Sequence, residues 1–172
     1  YLENKKVRNE QVKNLVDIVA NFLGSKDWRA QDEVLDIILE SPLLPLMESS
    51  FRNGSWLDMA KDSAVYHSFL ALTRAIVNQK KLVPCLIEID SRYKPLQTEP
   101  IYKLLQKLND LAEIFINCLN QQEKAEQDSE VPETLAKDVM KTYKIVMGAV
   151  EKLKKTQKEE NFIENALLLP PA

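Results

Sequence analysis

The sequence predicts an all-α fold, and three observations lead to this prediction. The chain has 172 residues but only three glycines, whereas β-rich folds need glycine in many of their turns. Apolar residues recur at helical spacing through most of the chain. The 45% of hydrophobic and 28% of charged residues are typical of a globular domain, which at this length buries a core without disulfides. The shortage of glycine also argues against glycine-rich phosphate-binding loops.

Two helices are predicted before the first proline. The first covers 4–23 and ends at Gly24, a residue that favours helix termination. Its expected inner face consists of Val12, Leu15, Val16, Val19, Phe22 and Leu23. The second covers 27–40 and ends at Ser41-Pro42, because a proline disfavours helical conformation in the residue before it. Its expected inner face consists of Trp28, Val34, Leu35, Ile37 and Ile38.

Three further helices are predicted between residues 43 and 79. A short helix at 43–51 precedes the turn Asn53-Gly54, and Ser55 is the expected N-cap of a brief helix that ends at Ala60. The helix at 63–79 is the most apolar. Its expected inner residues are Val65, Tyr66, Phe69, Leu70, Thr73, Ile76 and Val77.

Two long helices are predicted in the second half of the chain, after a polar loop at 88–98. The first runs over 98–120, with a proline tolerated in its first turn. Its apolar stripe consists of Ile101, Leu104, Leu105, Leu108, Leu111, Ala112, Phe115, Cys118 and Leu119. The polar segment 120–131 is expected to link it to the second helix, at 132–158. The inner face of that helix is expected to consist of Leu135, Val139, Tyr143, Val146, Val150 and Leu153.

An internal similarity suggests helical repeats. Segments 34–47 and 73–86 align at an offset of 39 residues, and a helix, a break and a proline-containing helix occur in both. The matched pairs are Ile37 with Ile76, Ile38 with Val77, Leu43 with Leu82 and Pro45 with Pro84. A period of about 40 residues is typical of armadillo and HEAT repeats, although two similar helix ends would explain the same match. The predicted organisation is therefore an armadillo/HEAT-like stack over 1–90, a two-helix hairpin over 91–158 and a tail over 159–172 that leads to a next domain.

Charge and cysteine content bear on the partners and the compartment of the protein. The formal net charge of −3 argues against a nucleic-acid partner. The two cysteines favour a reduced intracellular protein over a disulfide-bonded one. The apolar runs are too short to span a bilayer, and the N-terminal segment does not resemble a signal peptide. Because the chain begins with Tyr1 rather than Met, we expect it to be a segment of a longer protein.

No catalytic or cofactor site is expected. His67 is the only histidine, and together with Cys85 and Cys118 it lacks the spacing of a zinc site or a nucleophilic dyad. Both cysteines are expected to be small buried hydrophobes. Three carboxylates stack on one helix face: Asp32, Asp36 and Glu40. They offer a weak hypothesis of an enzyme with a shallow carboxylate site. Their position opposite the apolar face instead favours ordinary solvation.

The last predicted helix carries a candidate partner-binding surface, which we call the lysine face. At about 100° per residue, six lysines fall within about 60° of one line along this helix. They are Lys137, Lys141, Lys144, Lys152, Lys155 and Lys158. A solvated face is the ordinary explanation for such a pattern, and an acidic protein surface is the favoured functional one. Trp56 is a second candidate contact residue, although a place in the core between the two repeat-like units is the favoured explanation for it.

Residues 43–86 resemble a known family. The segments LLPL, FRNGSWLDMA, VYHSFLALTRAI and LVPCL are similar to a helical region of the BRUCE/Apollon family of giant inhibitor-of-apoptosis proteins. KDVMKTYKIVMGAVEKLKK at 137–155 is similar to the same region, more weakly. The resemblance implies a segment just ahead of a ubiquitin-conjugating domain, in a cytoplasmic protein that also carries a zinc-binding BIR domain and restrains apoptosis.

The resemblance implies no catalytic or zinc-binding residue in this chain. The family's conjugating domain needs a His-Pro-Asn element before its cysteine, whereas His67 is followed by Ser68. A BIR domain needs three cysteines, and the chain has two. The expected function is a non-catalytic scaffold that positions its own conjugating domain and offers a surface to protein substrates or a second subunit. The alternative is a stand-alone armadillo-type module that binds an extended peptide on residues 27–90 and is unrelated to ubiquitin.

Overall fold

The computed structural model describes residues 2–25, 31–53, 55–89, 99–121 and 130–168. These residues form eight α-helices and one short 3₁₀ turn, with no strand among them, which confirms the predicted all-α fold. The helices are α1 (Leu2–Leu23), α2 (Asp32–Glu40), α3 (Leu43–Asn53), α4 (Trp56–Lys61), α5 (Ser63–Val77), α6 (Pro84–Ile87), α7 (Ile101–Gln121) and α8 (Glu130–Leu167), and the 3₁₀ turn Lys80–Leu82 precedes α6. Expectations that concern Trp28, Gly54, most of the 88–98 loop and most of the 120–131 linker lie outside the described residues.

Local sequence signals set several helix boundaries. The Ser55 hydroxyl accepts a hydrogen bond of 3.2 Å from the backbone N–H of Asp58, so the predicted N-cap of α4 is confirmed. At the end of α2, the Ser41 hydroxyl donates to the Ile38 carbonyl at 2.7 Å. This bond and Pro42 end the helix where the sequence predicts.

Helix α5 lies at the centre of the molecule. It packs against α1 and against α8, while α7 packs on α8 and also contacts α3 and α6. Apolar side chains cover most of its circumference, and such a helix is stable only when neighbours surround it. Its largest fully buried side chains are Phe69, Leu70, Leu72 and Ile76.

Polar contacts fix α1 on α5. The Gln79 side-chain amide donates to the Leu23 carbonyl at 2.8 Å, beside the end of α5. Asp17 of α1 accepts a hydrogen bond from the Ser68 hydroxyl of α5, and this bond lowers the pKa of Asp17 below its ordinary value of 3.8. The Lys13 ammonium, 2.9 Å from the Asp17 carboxylate, lowers that pKa further, whereas desolvation opposes both effects.

Some residues of the expected inner faces lie on the surface. Leu15 and Ile37 are each 65% exposed, and Phe22 is 57% exposed, so their predicted inward orientation is wrong. Helix α1 packs mainly on α5, and one neighbour buries only a narrow stripe, here Val16, Ala20 and Leu23. Residues on the flanks of that stripe keep the helical spacing without being buried.

The same correction applies to α7. Leu111 is 48% exposed, and Cys118 is exposed rather than a buried hydrophobe. The buried residues of α7 lie mostly in its first three turns, from Ile101 to Ala112, where the helix is covered by its neighbours.

Helix α8 is longer than predicted. It continues to Leu167 instead of ending near 158, so most of the predicted tail is helical. Residues 159–167 contain neither glycine nor proline. Adding turns to an existing helix avoids the cost of nucleation, so nothing ends α8 before Leu167.

The armadillo/HEAT-like detail stays a prediction. The two matching segments do form a helix, a break and a short proline-containing helix, as α2 with α3 and as α5 with α6. However, α2 packs on α3 and the 3₁₀ turn, whereas α5 packs chiefly on α1 and α8.

Candidate partner-binding face

A network of polar side chains attaches α8 to α5. The Asp138 carboxylate of α8 contacts the His67 imidazole through one oxygen. Its other oxygen accepts a hydrogen bond of 2.5 Å from the Arg74 guanidinium, which also donates to the Thr142 hydroxyl at 2.6 Å. Asp138 is 15% exposed and Thr142 is fully buried, so the network lies at the edge of the core. It fixes the rotation of α8 about its own axis.

The sequence does not reveal this network directly. His67 carries no ligand spacing, and its partner is 71 residues away in the chain. A weak signal is present in Asp138, a lone acid between Lys137 and Lys141 that sits one turn before Thr142. Both halves of the network lie within the two segments that carry the family resemblance, 43–86 and 137–155.

The lysine face points into solvent, because the network and the buried residues occupy the opposite side of α8. All six lysines are exposed. Lys137 forms an ion pair with Glu133 at 2.8 Å. Within the described part of the chain, the other five have no carboxylate partner: Lys141, Lys144, Lys152, Lys155 and Lys158. Lys154, which lies off this face, sits instead 6.0 Å from the centre of the Tyr102 ring.

A groove opens beside the lysine face between α7 and α8. Its lining includes Met140, Met147 and Gly148 from α8 and Glu113 from α7. A Cβ added at Gly148 would meet no atom within 4 Å, so the backbone here is open to close approach. Lys141 and Lys144 border the groove.

The last four turns of α8 extend beyond the core. None of residues 151–168 is buried, and residues 154–168 are all exposed. Four apolar residues on this extension form what we call the apolar tip: Phe162, Ile163, Ala166 and Leu167. Phe162 is 76% exposed and Leu167 is 80% exposed, which is unusual for large apolar side chains held together on one helix.

Trp56, the other candidate contact residue, lies against the core. It is half-buried, and its ring lies 5.9 Å from that of Phe115 on α7. Its indole N–H is buried, and none of the residues that the structure describes offers it a hydrogen-bond acceptor. The structure therefore places Trp56 at a contact between α4 and α7, apart from the lysine face.

The carboxylate and thiol candidates are dispersed. Asp32, Asp36 and Glu40 are exposed on α2, and Asp32 forms an ion pair with Lys81 at 3.1 Å. Cys85 is half-buried. In the ranges that the structure describes, no three His, Cys, Asp or Glu side chains come together in a way that would hold a metal ion. None of the helices there combines the length and the hydropathy needed to cross a bilayer.

Two curated relatives are similar to nearly the whole chain. The human protein described as dual E2 ubiquitin-conjugating enzyme/E3 ubiquitin-protein ligase BIRC6 is 24% identical over 197 aligned positions, covering 95% of this chain. The mouse protein of the same description is 26% identical over 199 positions, again covering 95%. The alignments are longer than the chain itself, so both relatives carry insertions relative to it. The chain spans about 4% of the length of each relative.

The similarity confirms the resemblance expected from residues 43–86, and ubiquitin conjugation is the activity named in the description of both relatives. No family profile matches the chain. No solved structure matches it either.

Proposed function

We propose that this chain is a non-catalytic helical scaffold within a giant cytoplasmic protein of ubiquitin conjugation that restrains apoptosis. The scaffold holds α8 in a fixed orientation. The lysine face then meets an acidic surface of the conjugating domain, of a protein substrate or of a second subunit. The similarity to two dual E2/E3 proteins supports the link to ubiquitin conjugation, and the resemblance of 43–86 supports the link to apoptosis.

One observation carries the proposal: five lysines on a rigidly held helix have no acidic partner within the described residues. Lysines on a mobile segment would be solvated with little consequence. Here Asp138 and Arg74 fix the rotation of α8, so the face that carries the positive charges keeps a constant orientation. Fixed like charges create a field that attracts and orients an acidic surface.

Charge reversal on the lysine face tests the proposal. In the full-length protein we expect Lys141→Glu/Lys144→Glu/Lys155→Glu to slow ubiquitin transfer to a substrate by about tenfold, which corresponds to about 1.4 kcal/mol. The matched control is Lys6→Glu/Lys80→Glu/Lys103→Glu, which changes the net charge equally at exposed lysines of other segments. Transfer that is unchanged by the first set, or equally slowed by both, contradicts the proposal.

A further inference from the structure

We propose that the lysine face and the apolar tip form one continuous docking surface for a helical partner segment that is acidic at one end and apolar at the other. This inference rests on the proposed function, since it uses the same lysines. It goes further by adding the apolar tip and by defining the chemistry of the partner. It can fail while the role of the lysines in ubiquitin transfer stands.

Half of the apolar tip shares one line with the lysine face along α8, whereas Ile163 and Leu167 lie about 80° and about 120° from that line. With 3.6 residues per turn, Phe162 and Ala166 fall within about 40° of the line through Lys144, Gly148 and Lys155. The distance along the axis from Gly148 to Phe162 is about 21 Å, at 1.5 Å per residue. A partner helix of about four turns would contact both groups at once.

The two ends of this surface offer different chemistry. The middle of α8 offers exposed lysines beside Gly148, where the absence of a side chain admits a close neighbour. The far end offers Phe162 and Ile163, which are 76% and 59% exposed. Acidic groups complement the first end, and apolar side chains complement the second.

A protein segment suits this surface better than a lipid bilayer. A helix that lies on a membrane buries one apolar face along its whole length, with lysines on the other face. On α8 Phe162 and Ala166 follow the lysines on the same face. Glu159, which lies on that face between Lys155 and Phe162, and Glu160 are exposed and would be repelled by anionic headgroups. The acidic end of the partner is therefore placed at the middle of α8 and its apolar end at Phe162.

Binding of a synthetic helical peptide to the chain tests the inference. The probe has about 20 residues, with glutamates on one face of its first half and Leu and Phe on the same face of its second half. Controls are a shuffled peptide of equal composition, a peptide with only the acidic half and one with only the apolar half. Fluorescence anisotropy at low salt measures each affinity, and the probe is also made with the reversed sequence so that either direction is covered.

Of the probe and its version with the reversed sequence, we expect the better binder to bind at least about tenfold more tightly than any control peptide, because it contacts both ends of the docking surface at once. Lys141→Glu/Lys144→Glu and Phe162→Ser/Ile163→Ser should each weaken binding by about tenfold. Both pairs are exposed, so the fold should persist, as circular dichroism would verify. Lys6→Glu/Lys80→Glu should leave the affinity unchanged.

Four results would overturn the inference. They are equal binding of the shuffled peptide, loss of affinity in the Lys6→Glu/Lys80→Glu control, binding of phosphatidylserine vesicles in place of the probe, and dimerisation of the chain through Phe162 and Ile163 in sedimentation. If the probe fails while charge reversal still slows ubiquitin transfer, only this inference falls. If the probe binds while transfer is unaffected, the docking surface stands and the proposed function falls.

Discussion

Asp138 is the residue that most directly sets the orientation of α8. Its carboxylate contacts the His67 imidazole and accepts a hydrogen bond from the Arg74 guanidinium, and the Arg74 side chain is only 25% exposed. Loss of the negative charge would leave a half-buried guanidinium without its counter-charge, which is more costly than losing an exposed ion pair.

We therefore expect Asp138→Asn to lower the free energy of unfolding by about 1–3 kcal/mol, measured by urea denaturation. The control Asp110→Asn makes the same chemical change at an exposed position of α7 and should stay within about 0.5 kcal/mol of the wild type. Equal effects of the two substitutions would show that the network does not stabilise the fold.

Gly148 lies inside the continuous helix α8 at a position with no structural requirement for glycine. Because an added Cβ meets nothing within 4 Å, Gly148→Ala should raise the free energy of unfolding by about 1 kcal/mol through helix propensity. At Gly24 the Cβ would lie 3.1 Å from the Ala20 carbonyl oxygen, so Gly24→Ala should bring no such gain. Thermal unfolding of both variants measures the difference, and destabilisation by Gly148→Ala would contradict an open groove at this point.

At the scale of helices, the stability that the contact between α1 and α5 contributes should decrease at acidic pH. The Ser68 hydrogen bond lowers the pKa of Asp17 in the folded state, so the ionised form is favoured by folding. Such a group stabilises the fold above its unfolded pKa, and the contribution is lost as the pH falls through the folded pKa.

Ser68→Ala should therefore destabilise the protein near neutral pH, and the difference from the wild type should shrink below the ordinary Asp17 value of 3.8. Unfolding midpoints between pH 2 and 7 would measure this trend. Thr73→Val is the matched control, because it removes a buried hydroxyl that donates to the Phe69 carbonyl at 2.8 Å and not to a carboxylate. A Ser68→Ala effect that is as independent of pH as the control effect would contradict the role of Asp17.

Helices could be predicted from local signals, whereas their burial could not. Ser55 and Pro42 act on their immediate neighbours, so the start of α4 and the end of α2 follow from the sequence. Leu15 and Phe22 have the spacing of an inner face, but only the number of neighbouring helices decides how wide a face is buried. The full length of α8 was not predicted because the inner-face pattern ends at Leu153, although residues 159–167 contain no glycine or proline that would end the helix.

At the scale of the whole molecule, the candidate site was partly predictable. The lysine face depends only on periodicity within one helix, so its six lysines could be found from the sequence. The Asp138 network depends on pairing between α5 and α8, which no local pattern encodes. The apolar tip could be identified only once α8 was known to leave the core, because exposure is a property of the assembled fold.

The proposed function requires that α8 presents the lysine face to an acidic partner. Photo-crosslinking in the full-length protein tests it most directly, with a photoreactive amino acid at position 144 and, as controls, at positions 80 and 37. We expect crosslinks from position 144 to an acidic segment of the conjugating domain, a substrate or a second subunit, and none from position 80. Crosslinks to an extended peptide from position 37, with none from position 144, would contradict it and favour a stand-alone peptide-binding module.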